Sequence, residues 1–420
     1  MKAIFEKFQN LALWKRALLF LAVLGPGFIT ANVDNDAGGI ATYSIAGAQF
    51  GYALVWSMVP ITIALVVVQE MSARMAVATG KGLADLIREN FGVKTTFYLM
   101  LTLFVVNIGN VMAEFSGIGV SLGIFGIAHW YSVPISALLV WLVVLKGNYK
   151  SLEKIMLFAC LFYVAYLFSG FMAKPDWGEV VKQSVWPEVQ WNFPYTVMLV
   201  GLVGTTIAPW MQFYLQSSIV EKGVTVEEYK LLRLDVIIGC IIAPIVAFFI
   251  VLACAATLHK HGIVIHSAED AAVALRPFAG SYASLLFAFG LFNASIFAAC
   301  VLPLSTAYSI CEGMGWEAGV SKRFEEAPQF FWLYAVMILI GAGAVLIPHF
   351  PVWNVMYLSQ VGNGVLLPLI LFYVLRLVND KEVMGEFVNT KNQNIVAWLT
   401  ISVVSVLTLM MVVFSLAGAV

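Results

Sequence analysis

Charge is scarce in this chain: Asp, Glu, Lys and Arg make up only 11% of its 420 residues. Soluble domains carry about 25%. With 61% hydrophobic residues and a mean hydropathy of +0.91, this deficit excludes an ordinary soluble globule and leaves an integral membrane protein. Runs such as Ala64 to Val68 and Val236 to Cys254 lack the polar alternation of barrel strands, which excludes a β-barrel. Cysteine is sparse too. Cys160, Cys240, Cys254, Cys300 and Cys311 form no CxxC or metal spacing and read as small core residues. No soluble domain, long linker or low-complexity tract is expected. A net charge of −1 offers no footprint for nucleic acid, and no such partner is expected. Oligomeric state leaves no signal in the sequence.

What is present is a series of apolar spans of roughly 20 residues, the length that crosses a bilayer. Eleven fall near 17–47, 53–78, 95–121, 129–146, 152–173, 194–219, 232–257, 281–311, 330–347, 352–377 and 394–417. The first is too long and too poor in a cleavage site to read as a removable signal peptide. With these spans, 19 of the 23 Lys and Arg residues fall on one side, including Lys2, Lys7, Lys15, Arg16, Arg74, Lys81, Arg88 and Lys222. Lys174, Lys182, Lys260 and Arg276 fall on the other. The positive-inside rule then puts the N-terminus in the cytoplasm and, after eleven spans, the C-terminus outside a plasma membrane. Ten spans divide into two sets of five that enter the membrane from opposite sides. The expected organisation is a single transport domain over 1–420: repeat one at about 17–173, an inverted repeat two at about 194–377, and an extra helix at about 394–417.

Each set opens with an interrupted helix. The first interruption reads Asn32-Val-Asp-Asn-Asp-Ala-Gly-Gly39, and the second runs from Gly201 to Pro209. Irregular backbone at membrane depth persists only where protein buries it or where it lines a cavity, so paired interruptions mark a transport site. Asp36 is the strongest candidate ligand. A carboxylate at mid-membrane costs several kcal/mol unless a positive partner sits beside it, and the first interruption holds no Lys, Arg or His. A metal ion would serve as that partner. Asp34 and Asp36 can equally cap the half-helix that follows, and the two roles are compatible. Gly38 and Gly39 suit unusual backbone angles and close approach. Pro209 withholds a donor from the carbonyl of Thr205. Gln360 and Asn363, three apart, share one face of the tenth span, as ligands or as helix-to-helix glue. The candidate metal-site residues are therefore Asp36, Val33, Gly39, Thr205, Ala208, Gln360 and Asn363, with Asp34 and Glu114 as secondary acids. Glu70 and Arg74 read instead as a structural i,i+4 ion pair.

These segments resemble a known family. Gly25-Pro-Gly-Phe28, Asp36-Ala-Gly-Gly-Ile-Ala-Thr42 and Ala46-Gly-Ala-Gln-Phe-Gly-Tyr52 resemble the first helix of the Nramp divalent-metal transporters. The likeness continues through Thr79-Gly-Lys-Gly-Leu83, Ala113-Glu114, Leu152-Glu-Lys154, Ala173-Lys-Pro-Asp-Trp177, Ala268-Glu-Asp-Ala271, Leu358-Ser-Gln-Val361 and Met384-Gly-Glu-Phe-Val-Asn389. It implies an all-α LeuT-type fold, two inverted five-helix repeats with broken helices 1 and 6 plus an eleventh helix, and transport of a divalent cation. The cation is cargo; no cofactor is expected.

The chain also departs from that pattern. Where Nramp proteins carry Asp-Pro-Gly-Asn, it has Asp36-Ala-Gly-Gly39, and where they carry Met-Pro-His-Asn, it has Ala208-Pro-Trp-Met211. The lost thioether is a soft ligand, and carboxylate, carbonyl and water suit magnesium. A slipped Met211 is the one sulfur that could take its place. The departures resemble the Nramp-related magnesium transporters, a divergent branch, so the expected cargo is partly hydrated Mg2+, with Mn2+ tolerated. The proton route attributed to the family passes through positions occupied here by Trp210 and Val111, which do not titrate, while Asp34, Asp36 and Glu114 remain as alternative carriers. Uptake without obligatory proton coupling follows as an expectation. The alternatives are a proton-coupled Mn2+/Fe2+ symporter and, more remotely, an organic-substrate symporter on the same fold. A membrane enzyme using Asp34 and Asp36 as an acid dyad is not expected, since no HExxH accompanies them.

Overall fold

A computed structural model describes residues 25–146, 149–265, 270–271 and 283–417. Residues 17–24 of the first span lie outside them, as do Lys2, Lys7, Lys15, Arg16, Glu269 and Arg276. The regular elements are helices: α1 (Pro26–Val33), α2 (Ala37–Phe50), α3 (Met58–Thr79), α4 (Leu83–Ile124), α5 (His129–Lys146), α6 (Tyr149–Cys160), α7 (Val164–Met172), α8 (Trp177–Val185), α9 (Phe193–Thr206), α10 (Pro209–Lys222), α11 (Tyr229–Thr257), α12 (Ala283–Met314), α13 (Pro328–Val345), α14 (Val352–Val378), the short α15 (Lys381–Met384) and α16 (Lys391–Leu416). Among the described residues ten helical stretches are long and apolar enough to cross a membrane, and they fall on predicted spans two to eleven. The first predicted span is represented by α1 and α2.

The element boundaries differ from the sequence reading in informative places. The helix predicted over 95–121 begins at Leu83 and bends at Gly92, whose φ of 82° lies outside the helical region. The amphipathic α8 was not predicted. Nine residues are too few to span, and Asp176 caps it by accepting from the Gly178 and Glu179 N–H groups at 3.0 and 3.1 Å.

Burial distinguishes centre from rim. Of the most apolar stretch in Phe193–Lys222, 94% is buried, against 11% in Lys391–Leu416. The broken pair α9–α10, with the equally buried α1–α2, is therefore the centre of the molecule, and α16 is its exposed rim. The two broken helices cross antiparallel, α1 packing on α10 and α2 on α9. Around them α11 lies against α1, α2 and α3, while α14 lies against α2, α4 and α9. Close approach rests on small residues. A Cβ added at Gly204 would overlap the Gln360 carbonyl and the Gly364 amide, so α9 and α14 meet backbone to backbone.

Polar side chains fix the helix ends. Asp235 on α11 accepts from the N–H groups of Gly25, Gly27 and Phe28 at 2.8, 2.8 and 3.2 Å, satisfying the orphan donors at the start of α1. The predicted Glu70–Arg74 pair forms at 3.1 Å, and it does more than brace one helix. Arg74 also donates to the Phe387 carbonyl and to Asn389, and Glu70 accepts from Tyr229 and Gln393, which ties α3, α11, the segment before α16 and the first turn of α16 together.

Candidate metal site

Both breaks are shorter than the sequence suggests. Asn32 and Val33 still belong to α1, and only Asp34, Asn35 and Asp36 leave the helix before α2 starts at Ala37. In the second break Gly201, Gly204, Thr205 and Thr206 remain helical, and only Ile207 and Ala208 interrupt the path. The reason is steric. Gly38 and Gly39 take no positive φ, contrary to the expected unusual angles. Their missing Cβ makes room for neighbours. A Cβ at Gly38 would overlap the Gln360 amide nitrogen, and one at Gly39 would overlap the Asp34 carbonyl and stand 3.2 Å from Thr205 Oγ1.

Asp36 sits at the N-cap of α2 and accepts from the Gly39 N–H at 2.6 Å, so the capping role is present. Glu114 on α4 accepts from the Ala37 N–H at 3.2 Å, which brings its carboxyl against that of Asp36. Two carboxyls facing each other away from water need a cation or a shared proton between them. Among the described residues no ion pair includes Asp34, Asp36 or Glu114. Asp34 accepts at Oδ2 from Tyr43 at 3.1 Å, and the same phenol lies 2.9 Å from Thr206 Oγ1. Three oxygens of residues in or packed on the breaks have no hydrogen-bond partner: Asp34 Oδ1, Glu114 Oε1 and Thr205 Oγ1. All of these side chains are buried, which closes the region to solvent.

The other candidate residues are placed less uniformly. Val33 ends α1 and is buried at the lip of the first break. Ala208 is the N-cap of α10, and its carbonyl already accepts from Met211 N–H at 3.1 Å. With its amide nitrogen turned toward that end, Gln212 donates to the carbonyls of Ala208 and Pro209 at 2.9 and 2.7 Å. Met211 is buried in the first turn of α10. Gln360 reaches the first break, whereas Asn363 is turned to Asn110 on α4, with reciprocal amide bonds of 2.9 and 3.1 Å. The glue reading holds for Asn363 in this arrangement. Trp210 and Val111 are buried, with Val111 packed on Gly341 of α13.

Two contributors escaped the sequence reading. Tyr43 follows Asp36 by seven residues, two turns along the same face, which is a readable signal. Gln212, four residues after Ala208, is readable only once the break is located.

The model of the Nramp family, described as natural resistance-associated macrophage protein-like, matches residues 27–414. The chain belongs to the Nramp family. A divalent metal cation transporter MntH from Caldanaerobacter subterraneus subsp. tengcongensis is 26% identical over 429 residues, covering 99% of this chain and 98% of the relative. The Eremococcus coleocola manganese transporter, solved with an aromatic bis-isothiourea substituted compound, superposes with a TM-score of 0.78 at 22% identity, over 96% of this chain and 87% of that one. Mhp1, a nucleobase-cation-symport-1 family transporter, superposes with a TM-score of 0.55 at 15% identity, over 93% of this chain and 89% of the other. At these identities the structural likenesses speak for fold. The Nramp chain thus has the expected LeuT-type architecture, with broken helices 1 and 6 formed by α1–α2 and α9–α10.

Proposed function

We propose that this Nramp chain carries a divalent cation across the membrane by alternating access, holding it where the two breaks meet, with Asp36 as the charged ligand. The observation that carries the reading is the meeting of Asp36 and Glu114 without a basic partner, in a buried region where Asp34, Glu114 and Thr205 each keep an unpartnered oxygen. The relatives' names, a divalent metal cation transporter and a manganese transporter, support the cargo class.

The donors here are oxygens, and alanine stands where the family places a thioether. Hard donors favour Mg2+, with Mn2+ accepted. Among the described residues no three His, Cys, Asp or Glu side chains form a metal cage, which suits an ion that keeps part of its water. Gln360, Gly39, Val33 and Ala208 complete the proposed surround, with Asn363 one step behind Gln360. Buried Trp210 and Val111 offer no proton relay, so the membrane potential is the proposed drive. A dication crossing about 100 mV, inside negative, gains roughly 4.6 kcal/mol, from about 2.3 per charge. The proposed orientation has a cytoplasmic N-terminus. It is supported by Arg74, Lys81, Lys222 and Arg233, whose contacts gather the ends of α3, α4, α10 and α11 on one face. Repeats over about 17–173 and 194–377 belong to the same reading.

Purified protein in liposomes, offered Mg2+, Mn2+, Ca2+ and Fe2+ with a pH dye inside, tests this. Mg2+ and Mn2+ uptake without stoichiometric acidification is expected. Preference for Fe2+ with proton influx would reinstate the coupled alternative.

A further inference from the structure

Behind Gln360 a chain of side-chain amides runs away from the site through three helices. Asn363 Nδ2 donates to Gln360 Oε1 at 2.9 Å and to Asn110 Oδ1 at 3.1 Å. Asn110 Nδ2 donates to Asn363 Oδ1 at 2.9 Å and to Asn107 Oδ1 at 3.3 Å. Asn107 Nδ2 donates to Thr306 Oγ1 on α12 at 2.9 Å. At the opposite end, Gln360 Nε2 lies 3.3 Å from Ser359 Oγ. All six residues are buried.

The polarity of this chain has a direct chemical consequence. With Gln360 Oε1 held by Asn363, it is the NH2 of Gln360 that faces Gly38 and the first break. A cation needs the oxygen instead. Turning Gln360 alone would set its NH2 against the NH2 of Asn363, two buried donors face to face. Turning all four amides together reverses every amide-to-amide bond and breaks none of them, because an amide exchanges its oxygen and nitrogen by a half-turn. At the two ends Thr306 and Ser359 are hydroxyls that donate to the Leu302 and Met356 carbonyls at 3.2 and 3.0 Å, and on reversal each gives up that bond to donate into the chain, since a hydroxyl donates or accepts.

We propose that Asn363, Asn110, Asn107 and Thr306 are positioning residues that decide which atom of Gln360 faces the breaks, and that their common polarity reverses when a divalent cation enters. The inference rests on the reading that the cation sits at the breaks. It makes cation affinity depend on side chains that do not touch the cation and carry no charge.

Calorimetric titration of Mn2+ and Mg2+ into the purified chain tests it. Asn110→Leu, close in volume, is expected to lower affinity about tenfold, the usual scale for one unpaired buried donor. In a Gln360→Ala background the same change has no further effect. In Gln360→Glu it also has none, because a carboxylate shows oxygen both ways. Thr306→Val, milder and farther away, follows the same pattern with a smaller loss and covers the case in which Asn110→Leu fails to fold. Equal losses from Asn110→Leu in all three backgrounds, or no loss in the unaltered chain, overturn the relay. Asp36→Ala separates the two levels of the argument. Unchanged binding in Asp36→Ala overturns the site itself, whereas abolished binding with additive relay variants overturns the relay alone.

Discussion

Asp36 has two jobs in the structure, and replacing it by Asn rather than Ala separates them. As N-cap of α2 it accepts from the Gly39 N–H at 2.6 Å. Asn caps a helix about as well as Asp, while Ala loses about 0.5–2 kcal/mol. Asp36→Asn should therefore melt close to the unaltered protein, and Asp36→Ala measurably lower. Cation binding should behave differently. Removing one partner from a buried charge pair costs about 3–5 kcal/mol, which is a loss of at least about a hundredfold in Kd. Both variants should reach it. The assay pairs thermal unfolding in detergent with calorimetric titration and liposome uptake of Mg2+ and Mn2+. If Asp36→Asn binds within about threefold of the unaltered chain while Asp36→Ala only melts lower, Asp36 is a cap and nothing more.

Three further outcomes follow from the packing and the energetics. Gly204→Ala drives a methyl into the backbones of Gln360 and Gly364, so stability should fall by about 1–3 kcal/mol; Gly343→Ala, with nothing within 4 Å, should melt unchanged or slightly higher. Asp235→Leu leaves the Gly25, Gly27 and Phe28 donors unpaired at about 1–3 kcal/mol each before relaxation, and should be the least stable of these variants by thermal melting. Clamping liposomes at about 100 mV, inside negative, should allow Mg2+ to accumulate about 2,000-fold at equilibrium, from the roughly 4.6 kcal/mol the field supplies; accumulation at zero potential that tracks a pH gradient instead would show proton coupling.

The spans were legible because lipid demands long, uninterrupted apolar runs, and Asp34 and Asp36 stood out against one of them. The limits of the breaks were not legible. For Gly38 and Gly39 the expected close approach is what the structure shows and the expected unusual angles are not, while the spacer role of Gly204 depends on α14 and leaves no local trace. Likewise Gln360 and Asn363 declared a polar face, yet the partner of Asn363 is Asn110, 253 residues away, and a single sequence does not announce that pairing. Tyr43 was not singled out, although it lies two turns after Asp36, because its phenol matters only once Asp34 and Thr206 are seen beside it. The helix α8 was missed for a simpler reason: nine amphipathic residues satisfy no membrane-length criterion.

Tyr43 bears on how such a transporter moves. Its one hydroxyl touches Asp34 in the first break and Thr206 beside the second, so it works as a rivet through both broken helices. Sliding α2 past α9 strips that hydroxyl of its partners, and water carried in on the cargo is a ready replacement. On the proposed reading of a cation that arrives with water, the joint loosens most easily at that moment, which ties loading to motion through one phenol.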